Sequence, residues 1–450
     1  PPLTHSHKIP PHTHKRSNRF TALTPLLLPH PMDLDPAPPP PLPGSPQGAP
    51  PPAPAAAAAD DESALPVDLL LEIAARSDVV SVVRCAATSK PLRRAILDSG
   101  FRRLLALRAA STAGFDPALL RGVSYRLEDS QAERPVRVVQ GIPATEPCLI
   151  RFDESLVFEP VASRDGLVVL RRLRPRPLFG QSLEEGPPGS VLRVVNSVTG
   201  DVSVLPSVAI RDYRKHALLN VEDHGRSFEL LVADERLRTQ IYSSRHGAWS
   251  PVRAPHLPRG SRPFHDSCPL VIGRTVHWLC NPEPLPPGRH LSGPEPYIVA
   301  MDVDTLQATI IDLPRGCTSR MTASMSYRGL LLAASVDGKL LVVVSETQVI
   351  SMWTKAHPAE GEPSSPPRWT RQVLIDKQDW GVHSSVQFEG FGHRSGTVVL
   401  YIGRVGLIRL NLATKEANVV FYRSETAYVS QVCLHEINLS SVLQAMKPLS

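Results

Sequence analysis

The sequence predicts an α + β multidomain chain: a small helical module, then an all-β, six-bladed, propeller-like domain, behind a disordered Pro- and Ala-rich N-terminus. Three observations predict this. Apolar residues recur at helical spacing between residues 60 and 110. Short Val-, Ile- and Leu-rich runs bounded by turn residues fill residues 150–435. One strand–turn–strand unit returns within that region at nearly constant intervals.

The N-terminal part comes first. Of 47 prolines in 450 residues, residues 32–59 hold 11 and residues 1–31 hold 7. Residues 36–59 have no hydrophobic periodicity and read as a polyproline-type spacer. Residues 1–31 carry Lys8, Lys15, Arg16 and Arg19 but no acid, and Met32 opens a plausible true start. They are expected to be an untranslated leader or gene-model artefact, with a disordered basic tail as the alternative. The formal net charge is +6, and without that leader it falls to +2. A nucleic-acid-binding role therefore loses most of its support.

Residues 60–110 form the predicted helical module. Asp60, Asp61, Glu62 and Ser63 precede Pro66, which suits a first helical position. Leu69, Leu70, Ile73 and Ala74 then share a face, followed after Asp78 by Val79, Val82, Val83 and Ala86. Pro91 opens a third short helix, and Phe101, Leu104, Leu105 and Arg108 a fourth. Fifty residues carrying this much apolar surface are near the lower limit of independent stability. The excess surface suits a docking face.

Residues 111–149 are expected as a connector, 150–435 as the β-domain and 436–450 as a tail. Strands are predicted at 166–170, 191–195, 228–232, 275–279, 340–344 and 397–402. Asn196-x-x-Thr199, Asp302-x-x-Thr305 and Asn411-x-x-Thr414 each sit between two strand-like runs, where short polar side chains bond nearby backbone groups. Their Thr residues stand 106 and 109 positions apart, and Trp249 and Trp369 stand 120 apart. Such a period fits two blades of roughly 40–50 residues each. An irregular β-sandwich is the competing architecture.

The remaining motifs are weaker. No apolar run reaches the 18 residues of a membrane helix; the best, 329–344, is broken by Asp337 and Lys339. Six scattered cysteines do not make a disulfide framework, and the apolar stretch at 25–30 is too short for a signal peptide. A reducing compartment, cytoplasmic or nuclear, is the expectation. His265, Cys268, His277 and Cys280 have ligand spacing, but residues three apart on a strand face opposite ways, so no metal is expected. Arg171, Arg172, Arg174 and Arg176 read as a solvated loop, and Asp302 and Asp304 as turn residues. No phosphate-binding loop, dinucleotide fingerprint or nucleophile elbow occurs, so neither cofactor nor catalytic residue is assigned.

The segment Leu65-Pro66-Val-Asp68-Leu69-Leu70-Leu-Glu72-Ile73, with Val82-Val-Arg84-Cys85 and Ser89-Lys90-Pro-Leu92-Arg93, resembles the F-box family in order and spacing. Leu92 departs from the pattern, which usually has an aromatic residue there. The rest looks like plant, especially cereal, F-box proteins with a propeller-like associated domain; Gly273-Arg-Thr-Val-His-Trp278 carries that likeness. The resemblance implies a non-catalytic substrate receptor of an SCF-type (Skp–cullin–F-box) ubiquitin ligase. The implied partners are a Skp-family adaptor, through it a cullin, and an unidentified target protein. It also implies adaptor contacts by Leu65, Pro66, Leu69, Leu70, Ile73, Val82, Arg84, Cys85, Ser89 and Lys90. The alternatives are a propeller-scaffold enzyme, a metal-binding protein using the His/Cys set, and a nucleic-acid binder.

Overall fold

The computed structural model describes residues 65–77, 79–101, 103–104, 115–129, 136–141, 158–172, 191–197, 199–211, 213–222, 227–257, 261–264, 267–281, 295–317, 327–356, 368–380, 386–423, 427–439 and 442–443. Residues 1–59 and the expected spacer and leader lie outside them.

The helical module begins with α1 (Val67–Arg76), capped by Pro66, whose carbonyl accepts from Leu70 N at 3.1 Å. Pro66 thus stands one position before the first turn, where its missing N–H costs nothing. Next come α2 (Val79–Thr88) and α3 (Lys90–Leu97). Ser89 caps α3 by accepting from Leu92 N at 3.2 Å, and Pro91 sits in its first turn. Residues 99–101 and 103–104 are also helical. Ala74, Ala75, Val82, Ala86, Leu92, Ile96 and Phe101 close one small core.

The β-domain starts earlier than residue 150. β1 (Leu120–Asp129) and β2 (Val136–Gly141) lie in the segment expected as a connector and open the first blade. The second blade is β3 (Phe158–Arg164), β4 (Leu167–Arg172), β5 (Leu192–Asn196) and β6 (Val202–Val204). The third is β7 (Lys215–Glu222), β8 (Ser227–Ala233), β9 (Thr239–Ser243) and β10 (Ala248–Trp249). In the fourth, an interrupted inner strand, β11 (Arg262–Pro263) and β12 (Leu270–Ile272), pairs with β13 (Thr275–Asn281), followed by β14 (Tyr297–Asp302) and β15 (Ala308–Asp312). The fifth is β16 (Leu330–Ala334), β17 (Leu340–Ser345), β18 (Val349–Lys355) and β19 (Trp369–Asp376). The sixth is β20 (Val386–Phe391), β21 (Thr397–Ile402), β22 (Gly406–Asn411) and β23 (Ala417–Tyr422). Finally β24 (Ala427–Glu436) returns to pair antiparallel with β1, with Ser124 opposite Cys433.

This is a closed six-bladed propeller. The inner strands β24, β3, β7, β12, β16 and β20 neighbour one another in a ring. Six cores fill the six gaps between blades. The second strand of a blade feeds two of them by alternation: Leu167 and Val169 of β4 face the third blade, whereas Val168 and Leu170 face the first. β24 does the same for the seam, since Leu434 enters the core with the sixth blade and Cys433 the core with the second. Circular closure leaves no blade face open to water.

The repeated turns occupy equivalent places. The three Asx-x-x-Thr sequences join the third and outer strands of the second, fourth and sixth blades. Asn196 Oδ1 accepts from Thr199 N at 3.2 Å, Asp302 Oδ1 from Thr305 N at 2.8 Å, and Asn411 Oδ1 from Thr414 N at 3.0 Å. The next residue, Gly200, Leu306 or Lys415, is left-handed in each, at φ 82°, 60° and 60°. Trp249 and Trp369 lie in the outer strands of the intervening third and fifth blades. The two-blade period is therefore physical.

An adaptor-docking face on one end of the propeller

On α1 the apolar residues divide between two faces. Leu70 and Leu71 pack partly buried beside Ala74 and Ala75 in the module core. Leu65, Leu69 and Ile73, spaced four apart, remain 54%, 47% and 52% exposed. Pro66, Arg84 and Lys90 are also exposed. A continuous apolar stripe on an otherwise amphipathic helix is what a partner surface covers.

The other expected contacts divide by burial. Val82 is 1% exposed and belongs to the module core, so its methyls have no surface to offer a partner. This corrects the expectation for that residue. Cys85 and Leu70 are half-buried against the same core, and half-buried Ser89 serves as the α3 cap. Two exposed apolar residues were not expected in this role, Val67 and Leu104, at 40% and 43%. Apolar character was their only sequence signal.

The module sits at a definite end of the propeller. Asp116 N, on the chain leaving the helices, donates to Arg394 O of the β20–β21 turn at 2.9 Å. Phe115 packs over Gly396 of that turn, where a Cβ would lie 2.4 Å from the Phe115 ring. Beyond β24, Leu443 and Leu439 join the helical core, so the residues expected as a tail are partly buried. Turns joining first to second strands, and third to outer strands, lie at this end; Ser197 N to Gly166 O (2.7 Å) and Leu412 N to Gly396 O (2.9 Å) tie them together.

Connections between blades, and from second to third strands, lie at the other end. They include the four longest connections among the strands: 19 residues after β4, 17 after β15, 16 after β2 and 15 after β13. Arg171, at the mouth of the first of these, donates to Glu159 Oε1 at 2.7 Å, while Arg172 is exposed and Arg174 and Arg176 lie outside the described residues. Gln431 of β24 also donates to Glu159, joining the first blade to the second.

The His/Cys set does not converge. His277 and Cys280 lie in β13 on opposite faces: Cys280 joins Val276 and Trp278 toward the third blade, whereas Leu279, of His277's parity, faces the fifth. Burial pushes the Cys280 thiol up to about 12 and the His277 imidazole down to about 4. Cys268 is exposed, and His265 lies outside the described residues. Among the described residues no three His, Cys, Asp or Glu side chains group as metal ligands. Asp302 accepts from turn amides and Asp304 pairs with Arg274 at 2.6 Å, which accounts for both carboxylates structurally. Lys377 is lowered to about 8 by burial, but it is 2% exposed and its Nζ donates to Ser345 Oγ at 2.9 Å and to Glu346 O.

Comparison with known proteins follows the same division. An F-box domain model matches residues 63–104. A model described as Domain of unknown function (DUF7595) matches residues 122–449. No curated protein matches the chain. Similar solved structures include the Mitotic Checkpoint Complex (14% identity, 56% of this chain and 60% of that chain, TM-score 0.28). Another is an oligogalacturonate lyase from Vibrio parahaemolyticus (9%, 68% and 87%, 0.33). A third is the GH43 β-xylosidase/α-arabinofuranosidase CoXyl43, from a compost microbial metagenome (13%, 62% and 92%, 0.29). The chain thus spans 60% of the length of the checkpoint-complex chain. Likenesses this remote leave the propeller resting on its own strand pairing and cores. With residues 122–449 matched after an F-box domain at 63–104, the chain belongs to the family described as Domain of unknown function (DUF7595).

Proposed function

We propose that this protein is a substrate receptor of an SCF-type ubiquitin ligase. The helical module docks a Skp-family adaptor, and through it a cullin, while the far end of the propeller holds the protein to be modified. The observation that carries this reading is the exposed Leu65, Leu69 and Ile73 stripe within an F-box match. Loops carry recognition when a rigid scaffold positions them, and the four longest connections gather away from the helical module. The receptor performs no bond chemistry itself; it raises the effective concentration of target lysines near the ligase's catalytic partner.

The test is affinity purification of the tagged chain from cells, with and without proteasome inhibition. Wild type should bring down a Skp-type adaptor and a cullin, and proteasome inhibition should enrich a target. Leu69→Asp should lose adaptor and cullin but keep the target. Equal adaptor recovery with both chains contradicts the proposal.

A further inference from the structure

The helical core is finished by residues from the opposite end of the chain. Leu443 is 1% exposed within the cluster of Val82, Ala86, Leu92, Ile96 and Phe101, and Leu439 packs beside it. Seven residues separate Glu436, the end of β24, from Leu443, a reach of at most about 25 Å when fully extended. The path is shorter than that, because Ile437 N donates to Leu119 O at 2.9 Å and Val442 N to Asn438 O at 3.0 Å. Leu443 therefore reaches the helices only when β24 is seated between β1 and its neighbouring blades. Both approaches meet at one turn: the Glu436 carboxylate accepts from Ser395 N at 2.7 Å, and Arg394 O accepts from Asp116 N at 2.9 Å.

We infer that closure of the propeller ring completes the helical module, so that the adaptor-docking face is ordered only in a chain whose last strand is in place. This rests on the reading of that face proposed above. The helices are made early and Leu443 almost last, so a chain lacking β24 carries an unfinished module. A module of this size, near the limit of autonomous stability, depends on each buried side chain. Coupling is reciprocal: an adaptor that binds the finished module must also stabilise the seated β24. Leu439 and Leu443 are positioning residues that touch no adaptor-facing side chain of the α1 stripe within the buried cluster.

Amide hydrogen exchange and adaptor affinity of the full chain test this together. Leu443→Asp should accelerate exchange throughout α1–α3 while β16–β19 keep their protection, and should weaken adaptor binding at least tenfold. Leu443→Met should restore both, and Leu443→Ala should give an intermediate, measurable effect if the Asp variant fails to fold. Glu436→Ala, which loosens the end of β24, should accelerate exchange in the same helices. Unchanged helix exchange in these variants overturns the coupling. A wild-type chain that binds no Skp-type adaptor overturns the functional reading instead, and the exchange measurement then still decides the coupling.

Discussion

At the scale of single residues, backbone strain and burial make separate demands. Gly396 has φ 64° with the Phe115 ring above it, so an added Cβ meets both a left-handed penalty and a clash. Gly396→Ala should cost at least about 2 kcal/mol in a denaturant melt. Lys415 holds a similar φ of 60° in an exposed turn with no need for its side chain. Lys415→Gly should lose nothing and gain up to about 1 kcal/mol, relief of strain outweighing the freer unfolded chain. Histidines give a pH signature. Burial lowers His216 to about 3 and His277 to about 4, from an ordinary value of 6.5. A folded-state value below the unfolded one means that stability is complete above pH 6.5 and is lost as pH falls toward 4. Each ring contributes at most about 3 kcal/mol to that loss. Nitrogen chemical shifts should show both imidazoles neutral at pH 5; a midpoint near 6.5 would refute their burial.

At the scale of elements, legibility follows burial on both faces. The runs read as strands from sequence include the second strands β4, β8, β13, β17 and β21, each buried between two blades and therefore nearly all apolar. The turns were legible because their Asx and Thr side chains make the bonds that define them. β1 escaped notice. It holds the same second-strand place, yet it carries Arg121, Arg126, Glu128 and Asp129 and pairs with a strand some three hundred residues away. For the same reason the role of Leu443 was invisible locally. Within the helical module, the motif pointed to both core and surface residues without separating them. Their separation yields a prediction: Val82→Ala should cost about 2 kcal/mol, whereas Leu69→Ala should change stability by less than about 0.5 kcal/mol. Thermal melts of the two variants check this, and equal losses would mean that α1 is turned the other way.

At the scale of the whole molecule, the fold separates two surfaces. Short, hydrogen-bonded turns and the helical module occupy one end of the propeller, and the longest connections occupy the other. Six filled inter-blade cores and the β24 seam hold that arrangement in register. Such a body suits a receptor whose two partners must be kept apart at fixed separation. Its central claim is that the exposed α1 stripe is the adaptor contact. The direct measurement is titration of the purified full chain with a purified Skp-family adaptor, by calorimetry, for wild type and Leu69→Asp. One-to-one binding by wild type, weakened by at least about 2 kcal/mol in a variant with an unchanged melt, is the expected result. Undiminished binding by a folded Leu69→Asp chain would contradict it.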